Sequence, residues 1–251
     1  MTSTTTPFKA TELLDHISLD CVIFGFHNNE LKVLMLRLKN TNDYALPGGF
    51  VRYEETLEQA ASRTLKERTG LDNIFLKQFK VFSEPDRNKS LQTKPVFDKN
   101  EPAENIAFFN KRFISVGFYA LVEYSQVNPS PDMLSERCEW MNPFDELDII
   151  FDHKKIMETA LQTLRIQLNQ QPIGLKLLPH KFTMPQLQTL YETLLGRKLD
   201  RRNFQRKILS YKILNKLNER KTGGAHKAPF LYEFNIESYQ KALEEGLSGS
   251  W

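Results

Sequence analysis

Apolar and polar positions along the chain change period several times, and each change marks an element. Leu19–Phe26 and Leu31–Leu36 are apolar runs of strand length, separated by the polar stretch His27-Asn28-Asn29-Glu30, which predicts two strands joined by a hairpin turn. A further strand is expected to lead up to Leu46. A Pro-Gly-Gly turn (Pro47, Gly48, Gly49) follows it. From Thr56 the period becomes helical, with Leu57, Ala60, Ala61 and Leu65 on one side and Gly70 as the residue that ends the helix. Ile74–Phe82 and Arg112–Val122 alternate as strands, and Cys138–Met141 is a short one. Pro143–Leu147 is expected to begin a helical turn. Over Asp152–Asn169, Ile156, Ala160, Leu164 and Leu168 form an i+4 stripe, with Asp152 as the expected cap. Residues 1–17 are expected as a flexible tail holding at most one helical turn, at Thr11–His16. Ser83–Asn110, with Pro85, Pro95 and Pro102, is expected as a long polar loop, either a ligand lid or a solvated insertion.

The C-terminal part carries the most local signals. Thr183 and Gln186 form a capping box, and Phe182 with Leu187 occupy the staple positions around it. The helix that follows buries Leu187, Leu190, Tyr191, Leu194 and Leu195, and Gly196 stops it. Asp200 caps a second helix whose apolar side is Phe204 and Ile208. Its other side is Arg201, Arg202, Asn203, Gln205, Arg206 and Lys207. Then come an extended run at Ile213–Leu217, a Gly-rich turn at Thr222–Lys227 and an alternating run at Phe230–Phe234. Two helices joined by a short turn, followed by a hairpin with a basic tip (Lys221, His226, Lys227), predict a winged helix-turn-helix. Such a helix enters the major groove, where Arg pairs with guanine and Asn or Gln with adenine.

Charge sharpens that reading. The whole chain of 251 residues carries a net charge of +3. Arg197–Lys227 alone holds eleven Lys and Arg against Asp200 and Glu219, so the remainder is acidic. One short basic region on an acidic body points to a polyanionic partner, double-stranded DNA. Composition is that of a soluble globular protein, 40% hydrophobic and 26% charged. No apolar run approaches the roughly 18 residues that a membrane span requires, and the start MTSTTTPF shows no signal peptide. Cys21 and Cys138 have no metal-ligand spacing, and a reducing cytoplasm is expected.

The stretch Gly48–Leu71 resembles the Nudix box, G-x5-E-x7-R-E-U-x-E-E-x-G-U with U aliphatic. Gly49, Glu55, Arg63, Leu65, Glu67, Gly70 and Leu71 fall in register, and Thr64 and Arg68 stand where the pattern has glutamate. Positions 64, 67 and 68 share one helix face. Three carboxylates there gather a hard, oxygen-seeking Mg²⁺. One carboxylate and an arginine do not, so neither metal nor catalytic residue is expected. Glu58, nine residues before Glu67, projects from about the opposite side and cannot substitute.

A degraded Nudix box, a connecting helix and a C-terminal winged helix together resemble the Nudix-related transcription regulators, of NrtR and AraR type. SLDCVIFGF, QPIGLKLLP, FTMPQLQTLYETLLG and LDRRNFQRKI look closest to the AraR-type branch. The resemblance implies an α/β chain: a Nudix-like α/β/α sandwich with a C-terminal winged helix-turn-helix domain. Its parts would be an N-terminal tail (1–17), an effector-sensing domain (18–150), a connecting helix and linker (151–172) and a DNA-binding domain (173–251). It further implies a homodimer on an operator, no cofactor, and a small-molecule effector, a pentose in preference to ADP-ribose. Phe50, Arg52, Arg87 and Tyr119 lie on segments that would line the Nudix cleft. Arg52 and Arg87 read equally well as ordinary surface arginines. The alternative is a Mg-dependent Nudix hydrolase of a nucleoside diphosphate derivative with an accessory domain.

Overall fold

A computed structural model describes residues 9–72, 74–87, 102–175, 177–221 and 228–247. By its contacts the chain divides into two compact units, residues 1–25 with 32–160, and residues 26–31 with 161–251.

The first unit is built on a seven-stranded sheet. Strands β1 (Leu13–His27), β2 (Glu30–Leu38), β3 (Tyr44–Ala45), β4 (Gly48–Arg52), β5 (Leu76–Phe82), β6 (Ile114–Glu123) and β7 (Ser135–Met141) contribute to it. Its order is β3-β2-β1-β6-β5, with β4 on β1 and β7 on β2. Asn28 and Asn29 both have positive φ, 47° and 66°, the backbone of a tight hairpin whose twist matches its strands. Helix α1 (Leu57–Thr69) lays Ala60, Ala61 and Leu65 on Leu19, Cys21 and Ile23 of β1, Val51 of β4, and Val116, Phe118 and Ala120 of β6. Each alternate residue of these strands faces that layer, as the strand period requires.

Three expectations change here. The segment through residue 17 is not a tail throughout: a 3₁₀ turn at Ala10–Glu12 runs into β1, which starts at Leu13 because that side chain is buried and its backbone pairs with Arg52. The polar stretch 83–110 contains a helix, α2 (Ala103–Phe109), anchored by Phe108 and Phe109 against Leu13, Phe113 and Phe50. Residues 88–101, the middle of the expected lid, lie outside the described residues. Pro143–Leu147 forms a turn, not a helix, in which the Asn142 side chain accepts the Phe144 amide.

Helix α3 (His153–Gln167) starts in the first unit and ends in the second. The second unit then holds β8 (Phe182–Thr183), α4 (Met184–Leu195), α5 (Arg201–Ser210), β9 (Leu214–Arg220), β10 (Phe230–Phe234) and α6 (Ile236–Glu245), with sheet order β8-β10-β9. The Thr183–Gln186 capping box is formed, Gly196 closes α4 in the left-handed region, and the Asp200 carboxylate accepts the Asn203 amide. Phe204 and Ile208 of α5 are buried with Leu187, Leu190, Tyr191 and Leu194 of α4; the Tyr191 and Phe204 rings meet edge-on at 5.4 Å. This is the winged-helix arrangement, two helices and a three-stranded wing sheet.

Candidate functional site

The loop before α1 is held by charge. Arg63 donates to both oxygens of Glu55, at 2.6 and 2.8 Å, and to the Phe50 carbonyl at 2.9 Å. The Arg52 amide donates to the same carboxylate. The hydrogen bond from Arg63 keeps the Glu55 carboxyl below its usual range. Thr56 and Gln59 cap the helix reciprocally, in a capping box of the kind formed by Thr183 and Gln186. Gly49 has a packing reason to be glycine: a Cβ there would lie 2.6 Å from the Thr64 hydroxyl.

The face where a Nudix metal would sit is filled differently. Thr64 is buried, its hydroxyl lacking a partner among the described residues. Arg68 is also buried and donates to the Ser130 carbonyl at 3.0 Å and to Glu67 at 3.3 Å. Arg63 stands 3.5 Å from the other oxygen of Glu67. One carboxylate between two guanidiniums is a poor donor set for a divalent cation, which takes several oxygen ligands and is disfavoured by positive charge in a ligand position. No cluster of three or more His, Cys, Asp or Glu suited to a metal occurs among the described residues.

The four residues expected to line the cleft have different surroundings. Phe50 packs its ring 5.0–5.4 Å from those of Phe108, Phe109 and Phe113. Arg52 is half exposed and reaches Glu55 at 3.9 Å. Tyr119 is buried in β6, near Phe75 and Phe79, and its burial raises the phenol pKa. Arg87 is buried, not at the surface. Its guanidinium donates to Asp20 at 2.9 Å and to both oxygens of Asp152 at 2.9 and 3.1 Å, because a carboxylate inside β1 requires a counter-charge.

Around Asp20 the structure assembles a group that sequence reasoning missed. The Ser115 hydroxyl donates to it at 2.6 Å, and His153 Nε2 lies 3.2 Å away. His153 Nδ1 accepts the Leu46 amide at 2.9 Å, so the ring proton sits on Nε2 and points at Asp20. Burial alone would raise the Asp20 carboxyl; His153, Arg87 and Ser115 overcome it and hold the pKa well below the usual carboxylate range. The available signal was a lone aspartate at the head of the apolar run Leu19–Phe26.

Helix α5 presents the predicted basic side. Arg201, Arg202, Asn203 and Arg206 are exposed, Gln205 and Lys207 are half-buried, and Arg206 donates to Asn203 at 3.1 Å. Arg201 and Arg202 have no carboxylate partner among the described residues. The turn leading into α5 is fixed by Glu192, which accepts from the Leu199 amide and from Gln188 and pairs with Lys198. Lys221 is exposed at the end of β9, while His226 and Lys227 lie outside the described residues.

Residues 15–162 match the NUDIX domain, and residues 174–234 match the NrtR DNA-binding winged helix domain. The chain belongs to the Nudix family. It carries, C-terminal to the Nudix domain, a DNA-binding winged helix of NrtR type. The chain is 26% identical over 230 residues to the ADPR responsive transcriptional repressor NtrR of Acinetobacter baylyi, covering 89% of this chain and 83% of that protein. A shorter match, 40% identical over 67 residues, is to an ADP-ribose pyrophosphatase of Methanocaldococcus jannaschii, covering 26% of this chain and 40% of that one. In fold, the chain is similar to Shewanella oneidensis NrtR complexed with a 27mer DNA, with a TM-score of 0.70, 21% identity and coverage of 94% of this chain and 100% of that one. The two-domain Nudix architecture is therefore shared along nearly the whole chain. Among the described residues, no helix is long and apolar enough to cross a membrane.

Proposed function

We propose that this Nudix-family protein is a ligand-responsive transcription regulator. In it, α5 reads an operator, the wing grips the DNA backbone, and the Nudix domain senses a small molecule without hydrolysing it. The observation that carries the reading is α5 itself: a capped helix, packed on α4 through Phe204 and Ile208, holds Arg201 and Arg202 exposed with no carboxylate partner among the described residues. The closed metal face, where Arg68 contacts Glu67, supports a sensor in place of an enzyme. Residues 18–150 are assigned to sensing, 151–172 to connection and 173–251 to DNA binding. Phe50 and Arg52 remain the residues assigned to the ligand side. Arg87 and Tyr119 act there only through a rearrangement that uncovers them. The likeness to the Acinetobacter repressor, along most of both chains, moves ADP-ribose ahead of a pentose as effector.

The test starts with selection of duplexes bound by the full chain from a random pool. Titrations then follow with ADP-ribose and with arabinose. Enrichment of a defined palindrome, and weakening of its binding by one of the two ligands, is expected. The double replacement Arg202→Ala with Arg206→Ala should lose several kcal/mol of operator binding, at about 1–3 kcal/mol per base-edge contact. Failure to enrich any sequence overturns the regulator reading. Mg²⁺-dependent turnover of ADP-ribose that Glu67→Gln abolishes overturns the non-catalytic one and establishes the hydrolase.

A further inference from the structure

The wing contains an arrangement that the basic tip does not account for. Lys216 Nζ lies 3.8 Å from the centre of the Phe230 ring, and the Arg220 guanidinium carbon lies 4.1 Å from it. Four residues apart on β9, the two cations converge because the β9–β10 pairing is bulged. Phe230 pairs with Arg220 and Tyr232 with Lys216, so four steps along β9 oppose two along β10. A bulge of this kind re-aims side chains. The Arg220 guanidinium is further fixed by donating to the Ala228 carbonyl at 3.1 Å.

Two like charges gathered on one ring repel each other, and a carboxylate is the ordinary remedy. None is supplied: neither cation pairs with Asp or Glu among the described residues. The adjacent carboxylate, Glu219, is engaged by Lys181 at 2.7 and 2.8 Å. The ring's negative face supplies only part of a counter-charge. What completes it is an anion from outside, and a wing strand following a DNA-reading helix meets phosphates.

We propose that Phe230 is a positioning residue for DNA binding, which holds Lys216 and Arg220 together as a two-cation grip on backbone phosphates. This rests on the DNA-binding reading above. Phosphate contacts of this kind fix the position of α5 on the duplex and carry no sequence information of their own.

The probe is a labelled 30-base-pair duplex of mixed sequence, titrated with the full chain across a range of salt. Each neutralised phosphate contributes about 0.9 to the slope of log affinity against log salt. Lys216→Ala and Arg220→Ala are each expected to flatten the slope by about that amount, which is roughly an eightfold loss at 0.1 M salt relative to 1 M. Phe230→Leu should weaken binding in the otherwise natural chain and have no further effect once both cations are alanine; a ring serving only wing packing would cost the same in both backgrounds. Should Phe230→Leu fail to fold, the two cation variants carry the test, since both positions are exposed. If Arg202→Ala with Arg206→Ala loses affinity while Lys216→Ala with Arg220→Ala keeps the natural chain's slope, this inference alone is overturned. A natural chain that binds no duplex at any salt overturns the DNA-binding reading, and this inference with it.

Discussion

Asp20 shows what one residue in the wrong-looking place can organise. It is a carboxylate in the buried half of β1, Leu19–Phe26, whose other members are all core, and it draws Arg87, Ser115 and His153 around it. Removing one partner of a buried ion pair leaves the other uncompensated, at about 3–5 kcal/mol. Arg87→Met is therefore expected to lower unfolding free energy by that order in a urea titration. The pH dependence follows from the depressed carboxyl. Its folded pKa lies below the unfolded value of about 3.9, so the stabilisation is complete above pH ~4 and drains away as pH falls toward the folded pKa. The stability difference between the natural chain and Asp20→Asn should be flat from pH 5 to 7 and narrow below pH 4; a difference that holds constant at pH 3 contradicts the assignment. At Arg68 the sequence and the structure agree more simply. The register of the Nudix box placed an arginine on the metal face, and its guanidinium is found on Glu67. Arg68→Glu puts a second carboxylate beside Glu67, so its melting temperature is expected to rise with added Mg²⁺, while that of the natural chain does not move.

Helix ends were legible where the controlling residues are neighbours in sequence. Gly70, Thr183 with Gln186, Gly196 and Asp200 all act within one turn of themselves, and each does in the structure what its position predicts. Gly70 gives the cleanest test. Its φ is 72° and a Cβ would meet nothing within 4 Å, so Gly70→Ala isolates backbone strain, about 1–2 kcal/mol. Gly70→Asn should recover part of that in the same denaturant titration, because asparagine tolerates the left-handed region. Helix α2 was not legible, since what makes it a helix is distant: Phe108 and Phe109 need Leu13 and Phe50 to bury against, and neither is near in sequence. Helix α6 did carry a local sign, the Asn235 cap on Ser238, but only Tyr239 of its apolar residues is buried, too little for a period to stand out. The α3 stripe is the opposite case. Ile156, Ala160, Leu164 and Leu168 are all fully buried, so spacing alone revealed it.

At the scale of the whole molecule, a single winged helix offers only a small interface, and specific sites commonly engage two half-sites about one helical turn, or a multiple, apart. The enriched operator should therefore be a palindrome bound by a homodimer, which sedimentation of the free protein and of the complex can count. Helix α3 runs from the first unit into the second, and in the proposed regulator it would join sensing to reading: its first turn carries His153, in the buried Asp20 group, and its last residues belong to the second unit. A ligand changes DNA affinity only if it binds two arrangements of the dimer unequally. Typical coupling of about 1–3 kcal/mol would shift operator affinity ~5–150-fold. If the Asp20 group sets the direction in which α3 leaves the first unit, Asp152→Asn, which weakens its hold on Arg87, should leave calorimetric binding of the effector within about threefold, a change of ~0.6 kcal/mol. The same variant should reduce the effector's influence on operator affinity by a larger factor. Loss of effector binding in Asp152→Asn would place the group in the ligand site itself. Full retention of both effects would leave α3 without a role in coupling.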